Sequence, residues 1–310
     1  MRLVKGRAHK VRIEYQEIWG KASARLEWAP PVDAPFDDAL AAARGADVVV
    51  MVLGLNGSLE NEMMDRRELE LPSAQRRLLS AVLRTGKPVV LVLENGSPVA
   101  FNAADPRLRA VVEAWYPGPE GGTAIADVLF GDHNPGACLP VTFPKSLEDV
   151  PASEDYAMQG RTYRFSRREP LFPFGFGMSY TSFGYSDIAV TPNKADTGAT
   201  VTVSVTVKNT GTREGDDVVQ LYLSHMRGEG VPLRELQGFR RVYLKARESQ
   251  RVEFTLAGKQ LCTVGTDGKR AVLPGRIAVI AGGGMSPRAK GPRSYQRAAF
   301  TLTGEPLQLD

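Results

Sequence analysis

The sequence predicts two successive folded units: an α/β domain with a mostly parallel sheet covered by helices, and then an all-β sandwich. Between residues 33 and 131, apolar stretches of strand length alternate with stretches of helical periodicity. This alternation is typical of βαβ units with a parallel sheet. From about residue 186 the helical pattern ends, and short alternating strands follow one another with turn residues between them.

The composition agrees with a folded protein of two domains. The chain has 310 residues, of which 43% are hydrophobic, and this length suits two domains better than one. The net charge of +4 comes from 39 basic and 35 acidic residues. The basic residues are scattered, so the charge does not indicate nucleic acid or an anionic membrane as a partner. We therefore expect neither of these partners.

The start of the chain and its cysteines exclude further classes of protein. No stretch approaches the ~18 uninterrupted apolar residues of a membrane span, and residues 1–20 lack the apolar core of a signal peptide. Cys138 and Cys262 lie far apart in segments of different character. Neither a disulfide framework nor a zinc site is indicated.

The predicted elements divide the chain at residues 33, 151 and 186. Residues 1–32 predict a β-hairpin with a turn at Gly20 and Lys21, which alone is only marginally stable. Residues 33–150 predict the α/β domain. Its helices are FDDALAAARGA, PSAQRRLLSAVLRTG and EGGTAIADVLFG, and its strands are ADVVVMVLG, KPVVLVLENG and RAVVEAWYPG. The valine-rich first strand is expected to be buried on both faces, as parallel strands usually are.

The second half of the chain predicts a linker and a sandwich. Residues 151–185 predict a linker, and its segment PLFPFGFGMSY is either a sugar-stacking surface or packing between domains, of which packing is preferred. Residues 186–310 predict a β-sandwich of the immunoglobulin or fibronectin type. Its strand candidates are ATVTVSVTVKNTG, DDVVQLYLS, ELQGFRRVYL, SQRVEFTL and KRAVLPGRIAVIAGG.

A loop rich in charge follows the first predicted strand. It reads SLENEMMDRRELELP at residues 58–72, and loops at the carboxyl ends of parallel strands are where active sites of such sheets lie. One interpretation is a solvated, self-neutralising turn. The other is a carboxylate partly desolvated by Leu59, Met63 and Met64, because desolvation raises its pKa towards the range of a general acid. No histidine lies near, so a metal site is not indicated.

Four motifs in order resemble glycoside hydrolase family 3, the β-glucosidase and β-xylosidase group. The segment ADVVVMVLGLNGSLENEMMDR with ELELP resembles its strand and acid/base loop, and WYPGPEGGTAIADVLFGDHNPGACLPVTFPKS resembles its α/β-sandwich signature. RTYRF with PLFPFGFGMSYTSFGYS resembles its linker, and VKNTGTREGDDVVQLYLS with RELQGFRRVYLK resembles its fibronectin type III-like domain. Residues 1–32 are similar to the last strands of a protective-antigen-type sugar-binding module that some members carry inserted here.

The resemblance implies a retaining mechanism with two carboxyl groups. In the family the nucleophile is an aspartate on a preceding (β/α)₈ barrel, and the acid/base is a glutamate on the loop described above. The family loop reads Glu, two residues, then Asp-Arg, which Glu62, Asp65 and Arg66 match. Glu62 is therefore the expected general acid/base, with Glu60 as the second candidate. Asp65 and Arg66 are expected to form an ion pair that shapes the loop.

The same resemblance implies that this chain needs a second part. A barrel takes ~250 residues, and no such segment precedes residue 33. We therefore expect the carboxyl-terminal part of a retaining β-glycosidase, inactive alone. Its partners would be a β-glucoside or oligosaccharide substrate and the missing barrel, in cis or in trans. No cofactor or metal is implied, and the resemblance implies a periplasmic or extracellular location.

Two other classes of protein remain as alternatives. A noncatalytic carbohydrate-binding or scaffolding protein would be built from the same domains. A nucleotide-using α/β enzyme would need a phosphate-binding loop, and the glycine-rich turn YPGPEGGTAIADVL has neither the spacing nor the lysine of one.

Overall fold

The computed structural model describes residues 36–63, 65–225, 231–265, 267–283 and 294–309. The predicted hairpin at residues 1–32 lies outside the described residues, so the boundary at residue 33 stays a prediction. Within the described ranges, no helix combines the length and the apolar composition that crossing a membrane requires.

The amino-terminal part is an α/β unit built on one parallel sheet. Its strands, in the spatial order β1-β2-β3, are β1 (Val49–Gly54), β2 (Val89–Glu94) and β3 (Leu108–Glu113). Its helices are α1 (Asp37–Gly45), α2 (Ser73–Leu83) and α3 (Gly121–Phe130). The predicted α/β class, with all three strands and all three helices, is confirmed.

The helices α1 and α2 contribute to the core on one face of this sheet. Met51, Leu91 and Val111 are aligned across the three strands and point to the same side. They belong to an apolar cluster that includes Ala43 of α1 and Val82 of α2. The amphipathic stripe of each helix is therefore what fixes the sheet in place.

The first strand differs from its prediction. We expected β1 to be buried on both faces, but Val50 and Val52 are 49% and 54% exposed, whereas Met51 between them is buried. The reason is that the described apolar core packs on the Met51 side of β1. The opposite side, to which Val50 and Val52 point, is left about half uncovered at this edge of the sheet. We call the exposed valines Val48, Val50 and Val52 the β1 valine face.

The carboxyl-terminal part is an all-β sandwich, as predicted. One sheet has the order β5-β13-β12-β7-β8, a second has β4-β6-β9 and a small third has β10-β11-β14. The strands are β4 (Phe183–Thr191), β5 (Lys194–Asp196), β6 (Val201–Asn209), β7 (Gly215–His225), β8 (Glu235–Leu244), β9 (Ser249–Leu256), β10 (Thr263–Val264), β11 (Arg270–Val272), β12 (Gly275–Gly282), β13 (Tyr295–Thr303) and β14 (Leu307–Leu309). Fully buried Val203, Leu221 and Val279 represent the core between the larger sheets.

Short helical turns lie outside these sheets. They are a 3₁₀ turn at Leu147–Asp149, α4 (Thr162–Phe165) and α5 (Gly258–Leu261). The sandwich begins with β4 at Phe183, slightly ahead of the predicted start at residue 186.

The aromatic linker packs against both domains. Phe172 contacts Phe101 of the α/β unit, with ring centroids 6.0 Å apart. Phe174 stacks on Tyr163 at 4.3 Å and meets Tyr222 of the sandwich edge-on at 6.4 Å. The interpretation of this segment as packing between domains is therefore the one that the structure supports.

A single asparagine joins the end of the α/β unit to the sandwich. The Asn134 side chain accepts hydrogen bonds from Ser179 Oγ (3.0 Å) and Tyr180 N (2.8 Å) and donates one to Glu214 O (2.9 Å). Arg213 donates a further bond to Gly131 O at 2.6 Å. These contacts span the end of α3, the linker and the start of β7.

Candidate active site

The loops that leave the carboxyl ends of β1, β2 and β3 meet at one edge of the sheet. The acidic loop follows β1, Asn95 to Ser97 follow β2, and Glu113 ends β3. Ladder-like backbone bonds continue past the strands, from Leu55 N to Glu94 O (2.8 Å) and from Ala114 N to Leu93 O (2.9 Å). The sheet thus fixes the roots of all three loops.

Glu60 is the hub of this edge. Its Oε1 accepts hydrogen bonds from Gly96 N (2.5 Å) and the Tyr116 hydroxyl (2.5 Å), and its Oε2 accepts one from Ser97 Oγ. Arg66 Nε lies 3.6 Å from Oε2, and the side chains of Arg66 and Glu60 are only 11% and 12% exposed. Both carboxylate oxygens are therefore occupied by protein donors.

These donors keep Glu60 ionised. Burial alone would raise the pKa of Glu60, but the hydrogen bonds from Ser97, Tyr116 and Gly96, together with the Arg66 charge, outweigh it and lower the pKa. Conversely, burial and the bond to Glu60 raise the pKa of Tyr116 to about 12, so its hydroxyl stays a donor at physiological pH. A carboxylate held in this state is a structural anion and a poor proton donor.

Arg66 shapes the loop, but with a different partner from the one expected. Besides Glu60, it contacts Pro98 O (2.5 Å), Ser97 Oγ (2.9 Å) and Leu69 O (3.3 Å). Asp65 is exposed, and in the described part of the chain the ion pair of Arg66 is with Glu60. The predicted pairing of Asp65 with Arg66 is wrong, because the Arg66 guanidinium is directed towards the loop after β2.

Glu62 lies two residues further along, on the outer side of the loop. Its side chain is exposed, and its backbone N–H donates to Asn61 Oδ1 at 2.8 Å. We expected Leu59 and Met63 to desolvate it, but they are 41% and 98% exposed, and Met64 lies outside the described residues. The described residues therefore do not supply the apolar enclosure. Glu62 remains a loop carboxylate that the structure leaves accessible.

The backbone beside Glu62 is strained. Met63 has φ of 64°, the left-handed region that costs a residue with a side chain about 1–2 kcal/mol. Its side chain is almost fully exposed, so packing within the described chain does not offset this cost. Glu62 thus lies beside a turn residue in a costly conformation, between Glu60 and Arg66 in the loop.

We expect Met63→Gly to raise the free energy of unfolding of this chain by about 1 kcal/mol, because glycine adopts positive φ without strain. Chemical denaturation of both proteins measures the difference. Met178→Gly is the matched control: Met178 is exposed but is not among the residues with positive φ, so its replacement should destabilise. Equal losses of stability in the two variants would contradict a strained Met63.

The residues that support the loop were not predicted. The pair Asn95-Gly96 is typical of a turn, and no pattern in the sequence singles out Ser97, Glu113 or Tyr116. Asn95 is fully buried, and its Nδ2 donates to Glu113 Oε1 (3.1 Å) and Ser97 O (3.0 Å). The available signal was position, because polar residues directly after buried parallel strands meet at the same sheet edge.

Comparison with known proteins agrees with this fold and this edge. The model of the glycosyl hydrolase family 3 C-terminal domain matches residues 4–180, and that of a fibronectin type III-like domain matches residues 217–284. Together, the two matches identify the chain as the carboxyl-terminal region of a glycoside hydrolase. The chain belongs to glycosyl hydrolase family 3.

Its relatives in sequence include enzymes that act on xylosides and glucosides. The chain is 39% identical to a xylan 1,4-beta-xylosidase of Xylanibacter ruminicola, over 83% of this chain and 31% of that protein. It is also 39% identical to a periplasmic beta-glucosidase of Salmonella typhimurium, over 80% of this chain and 34% of that protein. The chain therefore spans about a third of the length of these relatives.

Solved structures show the same relationship. A beta-glucosidase from Kluyveromyces marxianus in complex with glucose superposes with a TM-score of 0.77 at 33% identity, covering 91% of this chain and 34% of that one. A b-glucosidase from Erythrobacter marinus gives 0.75 at 38% identity, covering 86% of this chain and 36% of that one. The match to the glycosyl hydrolase family 3 C-terminal domain begins at residue 4. It therefore includes most of residues 1–32, whose interpretation as a remnant of a sugar-binding module stays a prediction.

Proposed function

We propose that this chain forms part of a retaining β-glycosidase that hydrolyses terminal β-D-glucosyl or β-xylosyl residues, and that it supplies the general acid/base, Glu62. In this mechanism the acid protonates the leaving oxygen, and the same carboxylate then activates the water that cleaves the glycosyl-enzyme intermediate. The nucleophile would belong to a (β/α)₈ barrel outside the described residues, which contain one three-stranded parallel sheet.

The observation that supports Glu62 is the contrast with Glu60. A general acid must exchange a proton with substrate and with water. Glu60 has both oxygens occupied and a lowered pKa, whereas the neighbouring Glu62 is exposed on the same loop. Glu60 and Arg66 anchor the loop to the residues that follow β2, and Glu62 is an exposed carboxylate on that anchored loop.

A second observation supports a partner surface beside this loop. The β1 valine face is about half exposed on an edge strand, and β1 leads directly into the acidic loop. Exposed apolar surface on an edge strand is usually covered in a complete protein. Together with coverage of about a third of each relative, this supports a catalytic part that docks here and encloses Glu62.

Complementation tests the proposed function. We expect the chain alone not to hydrolyse a nitrophenyl β-glucoside or β-xyloside, because retaining chemistry needs a second carboxyl group about 5 Å from the acid. Joining the chain to the barrel portion of a family member, in one polypeptide or as two, should restore turnover. The same assembly carrying Glu62→Gln serves as the control and should stay close to background with an unactivated glucoside.

Two outcomes would contradict the proposal. If the isolated chain hydrolysed the substrate and kept this activity with Glu62→Gln, two claims would be wrong: that the chain needs a barrel, and that Glu62 is the general acid. Binding of a β-glucan by calorimetry, with no turnover in any assembly, would favour a noncatalytic carbohydrate-binding or scaffolding role.

We further propose a periplasmic or extracellular location, in keeping with the name of the Salmonella typhimurium relative; fractionation of the native organism tests it.

A further inference from the structure

Beneath the Glu60 hub lies a second pair of polar groups. Asn95 is fully buried, and its Nδ2 donates one hydrogen bond to Glu113 Oε1 (3.1 Å) and one to Ser97 O (3.0 Å). Trp115 N donates to the same Glu113 Oε1 at 3.2 Å. Because Ser97 O can only accept, the amide of Asn95 is fixed with Nδ2 towards it.

Two oxygens in this pair have no hydrogen-bond partner among the described residues. They are Asn95 Oδ1 and Glu113 Oε2, and both are buried. A buried polar atom without a partner carries a desolvation penalty, so native proteins rarely leave one. Here both orphans are acceptors, and they belong to two groups already in contact. A single proton on Glu113 Oε2 would make this oxygen a donor, and Asn95 Oδ1 could then accept its hydrogen bond.

We propose that Glu113 is held as a neutral carboxylic acid that donates its proton to Asn95 Oδ1, and that this acid–amide pair positions the acid/base loop. Glu113 is thereby a positioning residue, which acts through Asn95 and does not touch substrate. Its Oε1 meanwhile accepts from Asn95 Nδ2 and Trp115 N, so all four polar atoms of the pair are satisfied.

The surroundings favour the neutral form. Burial raises the pKa of Glu113 to about 7, and the Glu60 charge adds to the rise, against the bonds from Trp115 N and Asn95. Two further ionisable groups of this edge, Arg66 and Tyr116, contact Glu60. The Arg66 charge thus compensates Glu60, while the side-chain partner of Glu113 is the Asn95 amide.

A chain of contacts links this pair to the loop. Asn95 bonds to Ser97, and Gly96 and Ser97 both hold Glu60. Trp115, the residue that Glu113 Oε1 anchors, has φ of 55°, which is costly without support, and it is followed by Tyr116, the third donor to Glu60. Losing the pair would therefore loosen three of the contacts that set the loop. The catalytic role of this loop rests on the proposed function, whereas the protonation of Glu113 is independent of it.

The stability of the full chain as a function of pH tests the protonation. A carboxyl group whose pKa is raised on folding contributes stability that is complete below its unfolded value of 4.5 and is lost as pH rises through about 7. Glu113→Gln keeps a neutral donor and should remove this loss. We expect the fall in Tm between pH 5 and pH 8 to shrink by about 5 °C relative to the parent.

Other groups are separated by comparing variants. Glu60, whose pKa is lowered, loses its contribution only as pH falls below about 4.5, outside this window. Burial lowers the pKa of His225, and its contribution is the same in parent and variant. Glu154→Gln, at an exposed glutamate, should leave the pH dependence unchanged.

Activity of the assembled enzyme tests the positioning. Glu113→Ala should lower kcat/KM about tenfold or more, because small misplacement of catalytic groups is costly. Glu113→Gln should recover most of that loss and move the alkaline limb of the pH profile upwards. The proposal is overturned if the Gln variant keeps the parental pH dependence of Tm, or if it is as impaired as the Ala variant. If no assembly is active, the proposed function fails while the Tm measurement still decides the state of Glu113.

Discussion

Glu62→Ala in the assembled enzyme is expected to lower kcat/KM for an unactivated β-glucoside about 10²–10⁴-fold, the usual contribution of a general acid. The reason is that the leaving alkoxide must depart without a proton. A nitrophenyl glucoside needs little protonation, so its first step should be affected far less. Hydrolysis of the glycosyl-enzyme intermediate should then become rate-limiting, because the base is also gone. Steady-state kinetics with both substrates measures the difference.

Azide distinguishes Glu62 from Glu60. A small anion can occupy the space left by Glu62→Ala and attack the intermediate without a base, so added azide should restore turnover and give a β-glycosyl azide. Glu60→Ala should also reduce activity, since it removes the anion to which Gly96, Ser97 and Tyr116 donate. It should not be rescued by azide. Rescue of the Glu60 variant and not of the Glu62 variant would exchange the two roles.

Asn209→Ala is expected to destabilise the sandwich by about 3 kcal/mol, the range for breaking a buried hydrogen-bond network. Fully buried Asn209 donates from Nδ2 to Arg213 O (2.7 Å) and Leu244 O (3.1 Å), and its Oδ1 accepts from Thr181 Oγ1 (2.7 Å) and Gly211 N (3.0 Å). One side chain thus satisfies four groups from the linker, β8 and the turn after β6. Chemical denaturation followed by far-ultraviolet circular dichroism, which reports the strands of the sandwich, measures the loss.

Two further variants sharpen this measurement. Asn209→Asp keeps the shape but replaces the two donor bonds by contacts between oxygens, so it should be at least as damaging as alanine. Asn193→Ala removes an exposed asparagine from the same domain and should change stability by no more than about 0.5 kcal/mol. A loss below about 1 kcal/mol at Asn209 would show that water replaces the network.

Sequence periodicity predicted the three strands and three helices of the α/β unit and most central strands of the sandwich, but the strands β4 and β13 have no counterpart among the predicted segments. The strand LRAVVE and the helix GGTAIADVLF appear where their patterns predict them. Periodicity does not specify the neighbours of a strand. The valine run in β1 predicted burial on both faces, and only the three-dimensional order showed β1 to be an edge with Val50 and Val52 half exposed.

The candidate site was predictable in place but not in detail. The loop after β1 was identified because it leaves the carboxyl end of a parallel strand. Its partners were not, since Gly96 and Tyr116 are 36 and 56 residues from Glu60 in sequence. For the same reason Arg66 was assigned to adjacent Asp65. Side-chain direction at a loop decides such pairs, and spacing alone does not encode it.

The Asn134 junction has a mechanical consequence. The Asn134 amide bonds to Ser179, Tyr180 and Glu214 at once. The α/β unit and the sandwich are therefore held together near the carboxyl end of α3, which opposes rotation of one against the other there. We expect the two to move as a single rigid body during turnover. In the proposed enzyme, any hinge that admits and releases sugar would then lie between this block and the proposed barrel.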